Sequence, residues 1–452
     1  MEPTKNSGFS SKIGVVMAAA GSAVGLGNIW KFPYEAGQNG GGAFLLVYLL
    51  CVIVFGMPLL MTEMIIGRKA GKSTFSAFRA ISGNNNWQWL GWWSALTVFI
   101  LTGFYFVVTG WCLNYLYEAL TNAYAGMGTD QLLSHFNANM SNMPKMLLFS
   151  VIPVLITGAI LWFGVNNGIE RLSKILMPML LIIMTLMLIR VLMLDGSAAG
   201  LKFLFKPDFS HFSPSVIMTA AGQCFFSLSV GLGLMITYGA YMPKDQNLTR
   251  TTLMVIVLDT LVAVLAGVII FPAVFAFEFD PAEGPQLVFV VLPAVFQHMS
   301  FTWLSGVVFF VLLFIAAITS TISLMEVIVA SIMELSGGRI SRRPAVLIAT
   351  IMISATIVLY VFSMTGTWPA LQLFGRNLFD LCDTLVTTIM MPLGALAISL
   401  FIGWFMPMQD NDLVPYSQKP IKRWLRPAFV FSLRWIVPVA ILLIFLNGLG
   451  VF

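Results

Sequence analysis

The chain returns repeatedly to apolar runs long enough to cross a bilayer. They fall at 13–37, 43–66, 88–120, 146–164, 172–194, 214–241, 251–276, 303–333, 344–363, 379–405 and 430–452. A helix of roughly 20 residues crosses the hydrocarbon core. In lipid every backbone polar group must be bonded internally, so spans of this kind are helices. The expected fold class is therefore an all-α polytopic membrane protein with 11 transmembrane helices. Composition agrees: 58% of the residues are apolar and 10% charged, where a soluble domain carries about 25% charged residues. So few charges exclude a water-soluble fold of 452 residues and exclude a disordered chain. A further stretch at 286–297, bounded by Pro285 and broken by Pro293, reads as a re-entrant or interfacial helix.

The loops carry the orientation. With the N-terminus inside, the inner loops hold Lys5, Lys12, Arg68, Lys69, Lys72, Arg79, Arg171, Lys174, Lys244, Arg250, Arg339, Arg342, Arg343, Lys419, Lys422, Arg423 and Arg426. The outer loops hold only Lys145, Lys202, Lys206 and Arg376. This asymmetry fits the positive-inside rule, with the C-terminus outside. The net charge of +5 is spread over short loops and is no nucleic-acid signal. The four cysteines lie in apolar runs and the three histidines are scattered, so neither forms a metal or catalytic cluster. The polar start, followed by an apolar run too long for a signal h-region, gives no sign of a cleaved leader.

Internal symmetry narrows the function. The tetrapeptide Val-Gly-Leu-Gly stands at Val24–Gly27 in the first span and at Val230–Gly233 in the sixth. Five spans separate the copies, so the two halves enter the membrane in opposite senses. This is the mark of an inverted repeat with broken first helices. The expected organisation is a cytoplasmic segment at 1–12, repeat one at 13–194 and repeat two at 195–405. A cytoplasmic loop at 406–429 and a last helix at 430–452 follow. The plainer reading of such glycines is close helix packing.

Two glycines within three residues each weaken a helix by about 1 kcal/mol relative to alanine. Unwinding there frees carbonyls for a small cation, and the positive end of a half-helix attracts a carboxylate. Oxygen-bearing side chains stand at the same depth: Asn28 and Ser227 beside the breaks, Asp259 in the seventh span, and Thr319, Ser320 and Thr321 in the eighth. Hydroxyls in membrane helices often bond back to the preceding turn instead. An intramembrane carboxylate such as Asp259 is costly and marks a site.

These residues also carry a family resemblance. The stretch Gly21-Ser22-Ala23-Val24-Gly25-Leu26-Gly27-Asn28-Ile29-Trp30-Lys31-Phe32-Pro33-Tyr34 resembles the first helix of the neurotransmitter:sodium symporters, which have the LeuT-type fold. Asn39-Gly40-Gly41-Gly42-Ala43-Phe44, Glu63, Gly67-Arg68 and Gly222-Gln223-Cys224-Phe225-Phe226-Ser227-Leu228-Ser229 resemble it too. The resemblance implies a 5+5 inverted repeat with helices one and six unwound at mid-membrane. It implies two Na+ sites, one at Ala23, Asn28, Ser227 and Asp259, the other at Gly21, Val24, Ala316, Thr319 and Ser320. The substrate would meet Ala23, Gly27, Leu101, Tyr105, Phe226, Ser227, Ser229, Leu232, Ser320, Thr321 and Leu324.

Three departures from the family pattern bear on function. Lys31 stands where arginine is usual in an outer gate, and its acid partner is Asp383 or Asp380, with Asp383 preferred. Lysine keeps the charge but loses the bidentate geometry. At the inner end Asn6 and Phe9 replace the usual Arg and Trp, which leaves Lys5 with Glu334 as the inner gate. Asp259 replaces a common asparagine, and its fixed charge implies no chloride requirement. Glu63 is expected to hold the breaks open by accepting backbone hydrogen bonds. Gly168 and Pro178 are spaced to let the inner end of helix five unwind, or they mark an ordinary loop boundary.

The implied function is sodium-coupled import of hydrophobic L-amino acids, tryptophan and leucine among them, by alternating access across a bacterial cytoplasmic membrane. The alternative is a proton-coupled transporter of the same fold, kept open by Glu35 and Glu326. No nucleophile–base pair or metal motif suggests an enzyme, and no obligate protein partner or nucleic acid is implied.

Overall fold

In the computed structural model the described residues are 8–210, 213–277, 279, 287–298, 302–372, 375–406 and 425–448. They are almost wholly helical. The order begins α1 (Lys12–Ala23), α2 (Gly27–Gln38), α3 (Gly42–Ala70), α4 (Thr74–Ser82), α5 (Asn85–Leu120) and α6 (Thr129–Ser141). It continues with α7 (Met143–Trp162), α8 (Val165–Leu192), α9 (Ser197–Phe205), α10 (Pro214–Ser227), α11 (Leu234–Ala240) and α12 (Leu248–Ala276). Last come α13 (Leu287–His298), α14 (Thr302–Leu335), α15 (Arg342–Met364), α16 (Leu378–Phe405) and α17 (Pro427–Gly448).

Among the described residues nine of these helices are long and apolar enough to cross a membrane, and α1 with α2, bent by 51° at the break, makes a tenth. The segment read as the sixth span is instead two short helices, α10 and α11, with six residues between them. The apolar runs and the helices agree to within a few residues at most ends. The largest difference is at α8, which starts at Val165 through a wide π turn rather than near 172.

Local chemistry sets several starts. Ser11 caps α1 by accepting from Gly14 N at 3.0 Å, and Asn142 caps α7 by accepting from Lys145 N at 3.1 Å. Asn247 caps α12 from Arg250 N at 2.9 Å, and Asn377 caps α16 from Asp380 N at 2.8 Å. Each supplies one of the acceptors that a helix N-terminus lacks.

The packing is that of a protein with a lipid face. Leu50 and Ile53 on α3 are 61% and 66% exposed, while Asn28, Glu63, Asp259 and Glu326 are fully buried. Large apolar groups face outward where lipid replaces water, and polar groups gather inside. Helices α5 and α14 form the centre: 78% of the most apolar window of each is buried, against 22% for α17. The site lies where α1, α2, α10 and α11 meet these two helices.

Candidate functional site

The first break is short. α1 ends at Ala23, Val24 turns extended with ψ 113°, and the helix resumes at Gly27. The amides it frees are caught locally: Gly25 N donates to Asn28 Oδ1 at 3.0 Å and Leu26 N to the Tyr105 hydroxyl at 3.2 Å. Here the glycines provide space. A Cβ on Gly25 would meet Ser320 Oγ and lie 2.9 Å from the Tyr105 oxygen, and one on Gly27 would lie 3.0 Å from the Phe226 ring.

The second break spans Leu228 to Gly233. Ser229, Gly231 and Gly233 have φ of 53°, 88° and 76°. Positive φ is easy for glycine and strained for serine. Glu63 holds this loop from α3, its Oε1 accepting from Gly231 N at 2.7 Å and its Oε2 from Met235 N at 3.3 Å. Thr74 Oγ1 donates to the Gly233 carbonyl.

Between the breaks lies a buried polar cluster. Asn28 Nδ2 donates to Ser227 Oγ at 2.9 Å and to Asp259 Oδ1 at 2.8 Å. Ser227 Oγ donates to Asp259 Oδ2 at 2.9 Å. The cluster thus joins α2, α10 and α12. Two contributors were not foreseen. The Tyr48 hydroxyl reaches Ser227 Oγ at 3.4 Å, and Gln223 Nε2 donates to the Gly27 carbonyl at 2.8 Å. Among the described residues no Lys, Arg or His lies within 4.0 Å of the Asp259 carboxylate. A buried carboxylate served only by neutral groups is an expensive arrangement that a bound cation would relieve. Asp259 and Ser227 turn hard oxygen donors into the cluster, whereas Asn28 turns its amide nitrogen there and its Oδ1 to Gly25 N.

The second expected ion set is also brought together. Ser320 Oγ donates to the Val24 carbonyl and to the Ala316 carbonyl, each at 3.4 Å. Thr319 Oγ1 donates to the Ala316 carbonyl at 2.9 Å. A Cβ on Gly21 would lie 3.5 Å from Thr319 Cβ. Both hydroxyls donate to carbonyls of their own helix, which leaves their oxygen lone pairs available to a cation. Thr321 does not join. Its hydroxyl pairs with Thr157 on α7 at 3.0 Å, away from both ion sets.

A cavity of about 30 Å³ lies beside the ion sets. Ala23, Gly27, Leu101, Tyr105 and Phe226 line it, as do Ser229, Leu232, Ser320 and Leu324. Ser22, Gly25, Leu234 and Met391 complete the wall and were not foreseen. Gly25 and Ser22 lay inside a motif already singled out, whereas nothing local marks Met391. The space admits about two waters, so the cavity is nearly closed. Phe226 also lines a pocket of about 280 Å³ with Lys31, Glu35 and Gln223. Phe226 and Met391 line both spaces and so stand between the cavity and this wider vestibule.

The gates differ from one another. Lys31 Nζ sits 4.3 Å from the Phe226 ring centroid, a cation–π contact. Among the described residues it has no carboxylate within 4.0 Å, and its charge acts on both Asp383 and Glu35. Asp380 is engaged by Asn377 Nδ2 at 2.7 Å. At the other end Lys5 lies outside the described residues, and Glu334 Oε1 accepts from Ser73 N at 2.7 Å. The firm lock at that end is Glu326. Arg342 binds it through both nitrogens at 2.9 and 2.6 Å, and the Tyr241 hydroxyl adds a third bond at 2.9 Å. Gly168 is packed against the Ile160 carbonyl within the π turn, and Pro178 sits in the continuous helix α8.

The pattern of the Sodium:neurotransmitter symporter family matches residues 6–134 and 131–449. The chain belongs to that family. This symporter is 38% identical to the uncharacterized sodium-dependent transporter YhdH of Bacillus subtilis, over 98% of both chains. It is 32% identical to an uncharacterized sodium-dependent transporter of Haemophilus influenzae, again over 98% of both. The crystal structure of MhsT in complex with L-phenylalanine matches with a TM-score of 0.88 and 38% identity, covering 98% of this chain and 99% of that one. The symporter is therefore a multi-pass membrane transporter driven by sodium, with the LeuT-type fold, and not an enzyme.

Proposed function

We propose that the symporter imports hydrophobic L-amino acids, aliphatic and aromatic, with two Na+ ions and without chloride. The observation that carries this reading is the Asn28–Ser227–Asp259 cluster, a buried carboxylate between two helix breaks with no cationic side chain beside it among the described residues. One Na+ is taken there with the Ala23 carbonyl and the substrate carboxylate. The second is taken by Gly21, Val24, Ala316, Thr319 and Ser320. The substrate carboxylate meets Tyr105 and the Leu26–Gly27 amides, and its amine meets carbonyls of the second break near Phe226 and Ser229. Leu101, Leu232, Leu324 and Phe226 give the side chain an apolar bed. The L-phenylalanine in the MhsT complex is of this class. The fixed charge of Asp259 stands in for chloride.

The working cycle is alternating access between two inverted halves, 13–194 and 195–405, with 1–12 and 406–429 cytoplasmic and the C-terminal helix 430–452 ending outside. Lys31 with Asp383 closes the outer side, and Lys5 with Glu334 the inner side. Unwinding of α8 between Gly168 and Pro178 gives water access to the second ion. Each Na+ moving down 100 mV contributes about 2.3 kcal/mol. Two sustain roughly a 2,000-fold gradient of a neutral zwitterion before any concentration term, at about 1.4 kcal/mol per tenfold. Of the two carboxylates that keep the proton-coupled alternative open, Glu326 is held by Arg342, which leaves Glu35 as its carrier. The membrane is the bacterial cytoplasmic membrane, in keeping with the bacterial relatives.

The test is binding and uptake of labelled phenylalanine, tryptophan and leucine with and without sodium. Asp259→Ala and Asn28→Ala are expected to abolish concentrative uptake at ordinary sodium, and full uptake in both removes the first ion site. Replacing chloride with gluconate is expected to leave uptake unchanged. Proton dependence at constant sodium with no sodium dependence at constant pH would favour the alternative.

A further inference from the structure

The helix α9 is not part of any ion or substrate set, yet it is tightly seated. Phe203 packs against Phe271 and Phe275 of α12 with ring centroids 5.0 and 5.2 Å apart. Gly200 approaches Pro272, and Gly41 pairs with Pro207 in an isolated bridge. Between α9 and the start of α3 lies a pocket of about 640 Å³. Two of the four cationic residues read as outer, Lys202 and Lys206, line it one helical turn apart. Both are exposed, and among the described residues neither has an acid within 4.0 Å. Asp208 also lines the pocket, with its Oδ1 accepting from Ser210 N at 2.9 Å.

The mouth of the pocket is apolar. Ala43 lines it, and Leu46, Leu50 and Ile53 continue from Ala43 along the same stripe of α3. Those three are 48%, 61% and 66% exposed, which places them against lipid tails. Phe205 on α9 is exposed as well. Paired cations above an outward apolar stripe form an amphiphilic surface, complementary to a phosphate head with acyl chains.

We propose that this pocket binds the head group of an anionic phospholipid of the outer leaflet, with Lys202 and Lys206 on the phosphate and an acyl chain along Leu46 and Leu50. The leaflet, not the binding, rests on the orientation given above. A lipid held there bridges α9, the start of α3 and the loop between α2 and α3, and so stiffens the outer end of the first broken helix.

Native mass spectrometry of the full chain released from detergent tests this, with phosphatidylglycerol, phosphatidylcholine or inorganic phosphate added. Phosphatidylglycerol adducts are expected to exceed phosphatidylcholine adducts. A lysine at a membrane surface contributes about fivefold, so Lys202→Gln with Lys206→Gln together are expected to lower the affinity by about 25-fold. Arg376→Gln, with the same charge change elsewhere on the outer side, is expected to leave it unchanged. Lys202→Gln alone, expected to lose about fivefold, serves if the double variant does not fold. Equal adducts with both lipids, equal retention in the variants, or full competition by inorganic phosphate would overturn the lipid site. Labelling of Lys202→Cys in intact cells by an impermeant thiol reagent is expected from outside. Protection in intact cells with labelling after permeabilisation would overturn the leaflet while leaving the head-group selectivity standing.

Discussion

The two copies of Val-Gly-Leu-Gly are identical in sequence and unlike in structure. At Val24–Gly27 the backbone leaves the helix for three residues, Leu26 keeps a right-handed φ of −60°, and the glycines make room for Ser320, Tyr105 and Phe226. At Val230–Gly233 the break is twice as long, and two of three left-handed residues are these glycines. The supports differ too. The first break leans on neutral partners, Asn28 and Tyr105, that belong to the ion and substrate sets. The second leans on Glu63 and Thr74, which lie outside those sets. One break is thus shaped by what surrounds it, and the other by its own backbone. A mutation in the first is expected to damage binding, and one in the second to damage the fold.

The largest expected effect tests the backbone side. Gly231→Ala combines a left-handed φ with a Cβ 2.6 Å from the Met391 carbonyl. It is expected to lose about 3 kcal/mol or more of stability, read as a large drop in melting temperature in detergent. A melting temperature equal to the parent would break the comparison. Next comes Glu63→Gln, which replaces a carboxylate shared by two buried amides. A loss of about 2 kcal/mol is expected, with sodium affinity of the remaining folded protein little changed.

On the other side, Gly25→Ala puts a methyl on Ser320 Oγ and Tyr105. It is expected to cost about 1–3 kcal/mol of stability through overpacking, a smaller drop in melting temperature than Gly231→Ala, and in addition to weaken substrate binding by about tenfold to a hundredfold, or about 1.4–2.8 kcal/mol. Scintillation proximity binding and thermal unfolding on one preparation would separate the two outcomes. The smallest effect concerns the far ends of the same helices, where Lys12 on α1 meets Asp245 after α11 at 2.9 Å. The Lys12 hydrogen bond holds the Asp245 carboxyl below its ordinary range. Both side chains are well exposed, so solvent screens the pair. Lys12→Ala is expected to leave the melting temperature unchanged at neutral pH. Phe9, buried against Tyr238 with ring centroids 5.6 Å apart, is the stronger tie there.

Much of this architecture could be read from the residues. Spans were legible because lipid demands long apolar helices, and the breaks because a repeated glycine motif at mid-depth has few other uses. The different work of the two motifs was not legible, since φ is decided by neighbours and not by the tetrapeptide. Thr321 was grouped with Thr319 and Ser320, but consecutive helical residues turn by about 100° each. Three in a row cannot share one small site, and Thr321 faces Thr157. The partner of Glu326 was missed for another reason. Arg342 counted as a loop charge, whereas it begins α15 and reaches back across the turn. Tyr48 and Met391 lie outside the repeated glycine motif that located the site, and neither side chain suggests an ion or substrate contact by its type.

The ring of Phe226 is at once the ceiling of one chamber and the floor of the next. A guest too bulky for the lower room can be seated only by lifting that ceiling, and lifting it opens the way back out. If substrates enter by this route, size selection and leakage are expected to be coupled through the two side chains that line both chambers, Phe226 and Met391, the first of them carrying the Lys31 ammonium on its ring.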